Sequence, residues 1–133
     1  MKEKIQMKNQ MQIFEQFQGL RVDIIVEDGE LLFEVYSTGM ALGHVDIKFL
    51  QAGEKHYPRK DRIDRDLISA GIKPCVRDRH KYITESQLYD LMLEMRTDKV
   101  KPFRRWVTHE VLPSIRKTGS CSVQTPKTFA QAF

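Results

Sequence analysis

The sequence predicts an α+β domain in which a small antiparallel sheet packs against three to four helices. Three observations support this class: an alternating hairpin pattern in the first third, a capped amphipathic helix in the last third, and a length of 133 residues. Such a length is typical of one domain and suffices to bury a hydrophobic core. The predicted sheet consists of the N-terminal hairpin and a second short strand pair.

The N-terminal hairpin is the clearest local pattern. Every second residue of 21–26 and of 31–35 is apolar, as in half-buried strands: Val22, Ile24 and Val26 share one side, and Leu31, Phe33 and Val35 share another. Asp28-Gly29 stands between them, and both residues tolerate the positive φ angles of a tight turn. Residues 11–17 are predicted to add a strand beside this hairpin.

The segment after the hairpin predicts a short helix followed by a loop. Ser37 and Thr38 can cap a helix that continues through residues 40–42, and Gly43 can end it. Residues 46–57 show weak signals and are predicted to be mostly loop.

A basic helix is predicted over residues 59–70, with Pro58 in its first turn. Ile63 and Leu67 fall on its inner face, and its arginines and lysine are left mostly outward. Gly71 is expected to end this helix.

Two short strands, 72–77 and 80–83, are predicted before a strongly marked helix. Thr84 and Gln87 form a capping-box pattern, in which each side chain satisfies a free backbone N–H of the other. The following apolar residues recur at helical spacing: Leu88, Leu91, Met92 and Met95.

The last predicted helix begins after Asp98 as its cap and has its apolar stripe on Val100, Phe103, Val107 and Val111. Pro113 should kink or restart this helix, because proline lacks a backbone donor and clashes with the preceding turn. Gly119 is expected to end it. The predicted domain organisation is therefore a flexible start (1–10), a folded domain (11–119) and a linker or tail (120–133), which could lead to a further C-terminal domain.

Positive charge is concentrated in two stretches. The chain has a net charge of +4, but residues 59–81 hold eight basic against four acidic residues, and residues 96–117 hold seven against two. No apolar run approaches the roughly 20 residues that span a bilayer, and the polar start does not resemble a secretory signal. We therefore expect a cytoplasmic protein with no membrane partner.

Motifs for catalysis or metal binding are not found in the sequence. The four histidines and two cysteines lack the spacings of a zinc site. A nucleophile elbow and a phosphate-binding glycine loop are also missing. We therefore expect no enzyme activity, no cofactor and no metal.

The basic segments predict contacts with DNA phosphates, since displaced counterions supply much of the affinity for DNA. The candidate DNA-binding residues are Arg59, Lys60, Arg62, Arg65, Lys101, Arg104 and Arg105. Lys55 and His56 could add to them from the preceding loop. The alternative interpretation is that these charges only solvate helix faces. Trp106 and Tyr57 are expected to pack and not to stack on bases.

Two blocks of sequence resemble the N-terminal domain of the BRO family, which is found in phage antirepressors and large DNA viruses. The first is residues 84–89, TESQLY, and the second is FRRWV at 103–107 continuing to EVLPSIRKTG at 110–119. The strand residues 32–35 followed by Ala-Leu-Gly at 41–43 also fit the family. The resemblance extends over about residues 11–119 and is strongest after Tyr82.

The resemblance implies a module that binds double-stranded DNA in the cytoplasm of a bacterial host cell and is joined to a variable C-terminal domain. Antirepressors of this kind oppose a phage repressor and so regulate transcription at the lysis–lysogeny switch. The alternative is a protein-interaction module that binds and inactivates a phage repressor without contacting DNA. A palindromic DNA site would also favour a homodimer.

Overall fold

The structure is a computed structural model, and it describes residues 10–118, with side chains to residue 115. The predicted linker or tail at 120–133, the predicted helix stop at Gly119 and the start of the chain before Gln10 lie outside the described residues. The predicted α+β class is confirmed. Among the described residues, no helix is long and apolar enough to cross a membrane.

The described residues form seven strands in two separate sheets, and a helix follows each group of two or three strands. The strands are β1 Gln10–Phe17, β2 Leu20–Glu27, β3 Glu30–Glu34, β4 Val45–Leu50, β5 Gly53–Pro58, β6 Cys75–Arg77 and β7 His80–Thr84. The helices are α1 Val35–Ala41, α2 Lys60–Ser69, α3 Glu85–Glu94, α4 Val100–Trp106 and α5 Leu112–Thr118, with a π-helical turn at Val107–Val111 between the last two.

The main sheet has five antiparallel strands in the order β1-β2-β3-β7-β6. The predicted hairpin between β2 and β3 is confirmed, and its turn has φ of 51° at Asp28 and 83° at Gly29. The predicted strand beside it is also confirmed as β1. The second sheet, which we call the ribbon, contains only β4 and β5.

The hydrophobic core lies between one face of the main sheet and the helices. Ile24, Phe33 and Ile83 are aligned across β2, β3 and β7, and each side chain is fully buried. Leu88 and Leu91 of α3 join the same core. The predicted capping box of α3 is present, because Gln87 donates its backbone N–H to Thr84 and accepts from the Thr84 N–H.

The prediction that Ser37 and Thr38 cap α1 is wrong. Glu34 is the N-cap residue, and its carboxylate accepts the backbone N–H groups of Tyr36 at 3.0 Å and Ser37 at 2.7 Å. The Ser37 hydroxyl instead accepts the N–H of Asp23 in β2. A charged acceptor at the last residue of β3 lets the helix begin immediately after the strand, two residues before the predicted cap.

The predicted loop at 46–57 is also wrong, since these residues form most of the ribbon. The sequence from Val45 to Phe49 alternates apolar and polar residues, which is a strand pattern. Pro58 is the last residue of β5, paired with Val45, and is not in the first turn of α2. The helix starts at Lys60, and Arg59 is its N-cap residue without a side-chain cap.

The C-terminal helical segment starts one residue later than predicted. The predicted break near Pro113 is confirmed. Lys99, and not Asp98, is the N-cap residue of α4, and the Thr97 hydroxyl accepts the N–H of Lys99. Before Pro113 the helix widens into the π-helical turn, in which the N–H of Leu112 donates to the carbonyl of Val107. The wider turn accommodates a proline that cannot donate to the preceding turn.

Candidate nucleic-acid interface

Helix α2 carries the largest group of predicted DNA-binding residues and is held by an apolar inner face. Ile63 and Leu67 are buried in the core, and α2 packs against α1 and α3. The four predicted residues at its start are all exposed: Arg59, Lys60, Arg62 and Arg65. The prediction that Ile63 and Leu67 point inward and that these four basic residues point outward is therefore confirmed.

Three arginines share one side of α2 because they are spaced three residues apart. Arg59, Arg62 and Arg65 line a shallow groove together with Asp46 of the ribbon and with Lys60 and Asp61 of α2. Arg59 forms an ion pair with Asp46 at 2.8 Å. Within the described part of the chain, Arg62 and Arg65 form no ion pair, so their charge is available to an external anion.

Lys60 also lines this groove, and its ammonium lies near Tyr36 of α1. Its ammonium is 5.1 Å from the centre of the Tyr36 ring, and that of Lys81 is 5.8 Å from the same ring. The Tyr36 hydroxyl donates to Asp64 at 2.8 Å. Burial raises the pKa of Tyr36, and the hydrogen bond to Asp64 raises it further, against the smaller lowering effect of Lys81. Tyr36 therefore stays neutral, and its ring lies beside the ammonium groups of Lys60 and Lys81.

A partly buried pair connects the base of the ribbon to α2. His44, directly before β4, hydrogen bonds through Nε2 to the Asp66 carboxylate at 2.8 Å. The backbone carbonyl of His44 also accepts the N–H of Arg59 at 3.1 Å. Together with the pair between Arg59 and Asp46, these bonds hold the base of the ribbon in a fixed position relative to the arginines of α2.

The other predicted DNA-binding residues lie on α4, where Lys101, Arg104 and Arg105 are exposed. Phe103 and Trp106 attach this helix to Phe17 at the end of β1, with ring centres 5.2–5.3 Å apart. The expectation that Trp106 packs in the core is thus confirmed. The structure brings the first four predicted residues together on α2, and it places the other three on a helix with different packing partners.

The basic side chains of the ribbon were not predicted as a group. Lys48 and Lys55 are cross-strand neighbours, and their ammonium groups lie 5.3 Å and 5.9 Å from the centre of the Tyr57 ring. The alternation from Val45 to Phe49 was the signal that could have predicted this strand. Of these residues, the sequence predicts only Lys55 and His56 as contributors, and it predicts them in a loop.

Comparisons with known proteins agree with the family resemblance. The family model described as "BRO family, N-terminal domain" matches residues 21–113. An uncharacterised protein of Haemophilus influenzae (strain ATCC 51907 / DSM 11121 / KW20 / Rd) is 31% identical over 132 residues, which covers 92% of this chain and 59% of that protein. A protein of Invertebrate iridescent virus 6 whose name assigns it a Bro-N domain is 35% identical over 97 residues, covering 62% of this chain and 23% of that protein.

No solved structure gives a significant match. The chain spans between about a quarter and three fifths of the length of these two relatives. The family match covers α1, the ribbon, α2 and α3 completely, and so includes the α2 groove and the ribbon. On this match, the chain belongs to the BRO family and contains its N-terminal domain.

Proposed function

We propose that this domain binds double-stranded DNA through the basic side of α2. In this proposal it is the DNA-binding part of a phage or prophage antirepressor, acts in transcriptional regulation of the lysis–lysogeny switch, and catalyses no reaction. The observation that carries the proposal is the side of α2 formed by Arg59, Arg62 and Arg65. Membership of the BRO family supports it, because a regulatory, DNA-directed role is what the family resemblance implies.

The chemistry of the arginines suits a duplex. A guanidinium group can bind phosphate oxygens through two parallel hydrogen bonds, and it can also bind O6 and N7 of guanine. Arg62 and Arg65 are exposed and lie one helical turn apart. They can contact phosphates if α2 lies along the backbone, or base edges if it enters the major groove. In the proposal Lys101, Arg104 and Arg105 are further phosphate contacts.

The test is fluorescence anisotropy of a labelled duplex of random sequence, titrated with the protein at increasing salt concentration. Phosphate contacts release counterions, so the logarithm of the association constant should fall linearly with the logarithm of salt concentration. The slope is about 0.9 per phosphate engaged. Absence of binding at low salt would refute the proposal.

Charge-reversal variants assign the contacts to α2. Arg62→Glu/Arg65→Glu should abolish binding and retain the native fold, because both side chains are exposed. The matched control is Lys73→Glu/Arg79→Glu, which makes the same change in net charge at exposed positions after α2 and in the β6–β7 turn. Binding by the α2 variant equal to that of the control would show that α2 is not the contact.

A second candidate is a module that binds a phage repressor protein without touching DNA. The modest net charge of +4 favours it, as do three exposed apolar residues of the ribbon: Ile47, Phe49 and Leu50. The basic side of α2 would then steer an acidic partner. This candidate predicts no DNA binding at low salt and nuclease-resistant co-elution with the repressor in size-exclusion chromatography.

A further inference from the structure

The ribbon has two chemically different faces, because successive residues of a strand point to opposite sides. We call the first face the lysine face, because it contains the cross-strand pair Lys48↔Lys55 and the neighbouring pair Asp46↔Tyr57. Its residues are Asp46, Lys48, Leu50, Lys55 and Tyr57. We call the second face the apolar face, because it contains the cross-strand pairs Val45↔Pro58 and Ile47↔His56. Its residues are Val45, Ile47, Phe49, Glu54, His56 and Pro58.

The apolar face is turned toward the rest of the domain at the base of the ribbon. Val45, Ile47 and His56 line a cavity together with Gln18 of the β1–β2 turn and residues 97–99 before α4. The lysine face is on the opposite side of the two-stranded ribbon and is therefore turned outward. Lys48 and Lys55 are both exposed.

Two lysines directly opposite each other are unfavourable in an isolated ribbon, since like charges on facing residues repel. In the described part of the chain neither Lys48 nor Lys55 forms an ion pair, and both ammonium groups lie near the Tyr57 ring. The nearest acidic residue in β5, Glu54, is on the apolar face, where it lies 3.8 Å from His56. The repulsion would be relieved by an anion bound between the two lysines.

The lysine face continues into the arginine side of α2. Asp46, at the base of this face, pairs with Arg59, and the same shallow groove contains Arg62 and Arg65. The combined surface presents four cations that form no ion pair among the described residues, and one further carboxylate, Asp61, lines the groove beside them: the cations are Lys48, Lys55, Arg62 and Arg65. An extended polyanion matches such a surface better than a single small anion does.

We propose that the ribbon lies in the major groove of double-stranded DNA with its lysine face toward the bases, while Arg62 and Arg65 of α2 bind the adjacent backbone. This inference rests on the proposed DNA-binding function. The major groove is about 12 Å wide and admits a two-stranded ribbon. Lys48 and Lys55 would bind guanine O6 and N7 or the flanking phosphates, and the exposed Leu50 would contact a thymine methyl group.

The test compares Lys48→Gln/Lys55→Gln with the control Lys73→Gln/Arg79→Gln in the same salt-dependent anisotropy assay. Each pair removes two positive charges from exposed positions. The ribbon variant should bind more weakly, and if both lysines contact phosphates its log–log salt slope should be smaller by about 2. The ribbon variant should also melt at the same or a higher temperature than the wild type, since the repulsive pair is gone.

Three results would overturn the inference in distinguishable ways. If the wild type binds DNA and the ribbon variant matches the control, the ribbon is not a contact, and its exposed apolar residues point to a protein partner instead. If the wild type binds no DNA at low salt, the proposed function itself fails and the inference fails with it. If a duplex with glucosylated 5-hydroxymethylcytosine, which fills the major groove, binds as tightly as unmodified DNA, the groove assignment is wrong.

Discussion

Replacing Gly39 tests how closely α1 and α2 pack, and therefore how α2 is positioned. Gly39 lies in α1 and is buried. A Cβ atom added there would lie 2.6 Å from Cγ1 of Ile63 in α2 and closer still to its Cδ1. Since the three nearest atoms all belong to Ile63, the Gly39→Ala substitution forces that side chain or the whole helix to move.

The expected free-energy change combines two opposing effects. Alanine is favoured over glycine inside a helix by about 0.8–1.0 kcal/mol. An extra methyl group in a well-packed core costs about 1–3 kcal/mol. Gly39→Ala alone should therefore destabilise the domain by roughly 0–2 kcal/mol.

A double-mutant cycle with Ile63→Ala separates the two effects, because the helix-propensity gain is the same in both backgrounds and cancels. Without the Ile63 side chain the added methyl group meets no clash, so Gly39→Ala should then be neutral or stabilising. The coupling energy between the two positions should be about 1–3 kcal/mol, equal to the clash alone.

Urea unfolding of the four proteins, followed by circular dichroism, gives the free energies for the cycle. Leu67→Ala is the matched control, since it also shortens a buried α2 side chain that is not among the three atoms nearest to the added Cβ. Gly39→Ala should be close to additive with Leu67→Ala. Additivity with Ile63→Ala to within about 0.5 kcal/mol would refute the close approach of α1 and α2.

Two further predictions concern the core and the sheet. Phe103→Ala should destabilise the domain by about 3–5 kcal/mol, because the ring is fully buried against Phe17 and Trp106; a loss below about 1 kcal/mol in urea unfolding would contradict this packing of α4. Burial raises the pKa of Tyr82 above its ordinary value, and the carboxylates of Glu34 and Asp23 raise it further. The unfolded chain therefore loses this proton first, and stability should fall as the pH rises above the ordinary tyrosine pKa of about 10. Tyr82→Phe should weaken that fall in unfolding experiments at several alkaline pH values, and an unchanged pH dependence would show that Tyr82 is not its source.

Local patterns predicted much of the fold because each carries its own physical cause. Asp28-Gly29 needs no distant contact to form a tight turn, and Thr84 with Gln87 closes a capping box within one helical turn. The apolar stripe of α3 was equally clear from its spacing. These features depend on residues close in sequence, and the structure confirms each of them.

Features that depend on distant partners were predicted less well. The Glu34 carboxylate caps α1, but this requires β3 to end where the helix starts. The sequence predicts a loop in place of the ribbon because the alternation from Val45 to Phe49 is short and the paired strand β5 has no apolar alternation of its own. For the candidate site, spacing predicted the outward basic side of α2. It could not predict that His44 and Asp46 would place a second basic face beside it.

The order of elements explains why the recognisable motifs and the candidate site do not coincide. β3 and β7 are paired in the main sheet, yet α1, the ribbon, α2 and β6 lie between them in the chain. The blocks that carry the family resemblance lie mostly in α3, α4 and α5, where buried residues such as Leu88 and Phe103 must fit the core. Lys48, Lys55, Arg62 and Arg65 are exposed and have no packing requirement. If these residues do contact DNA, related domains could change them, and with them the DNA bound, without altering the core that supports the ribbon and α2.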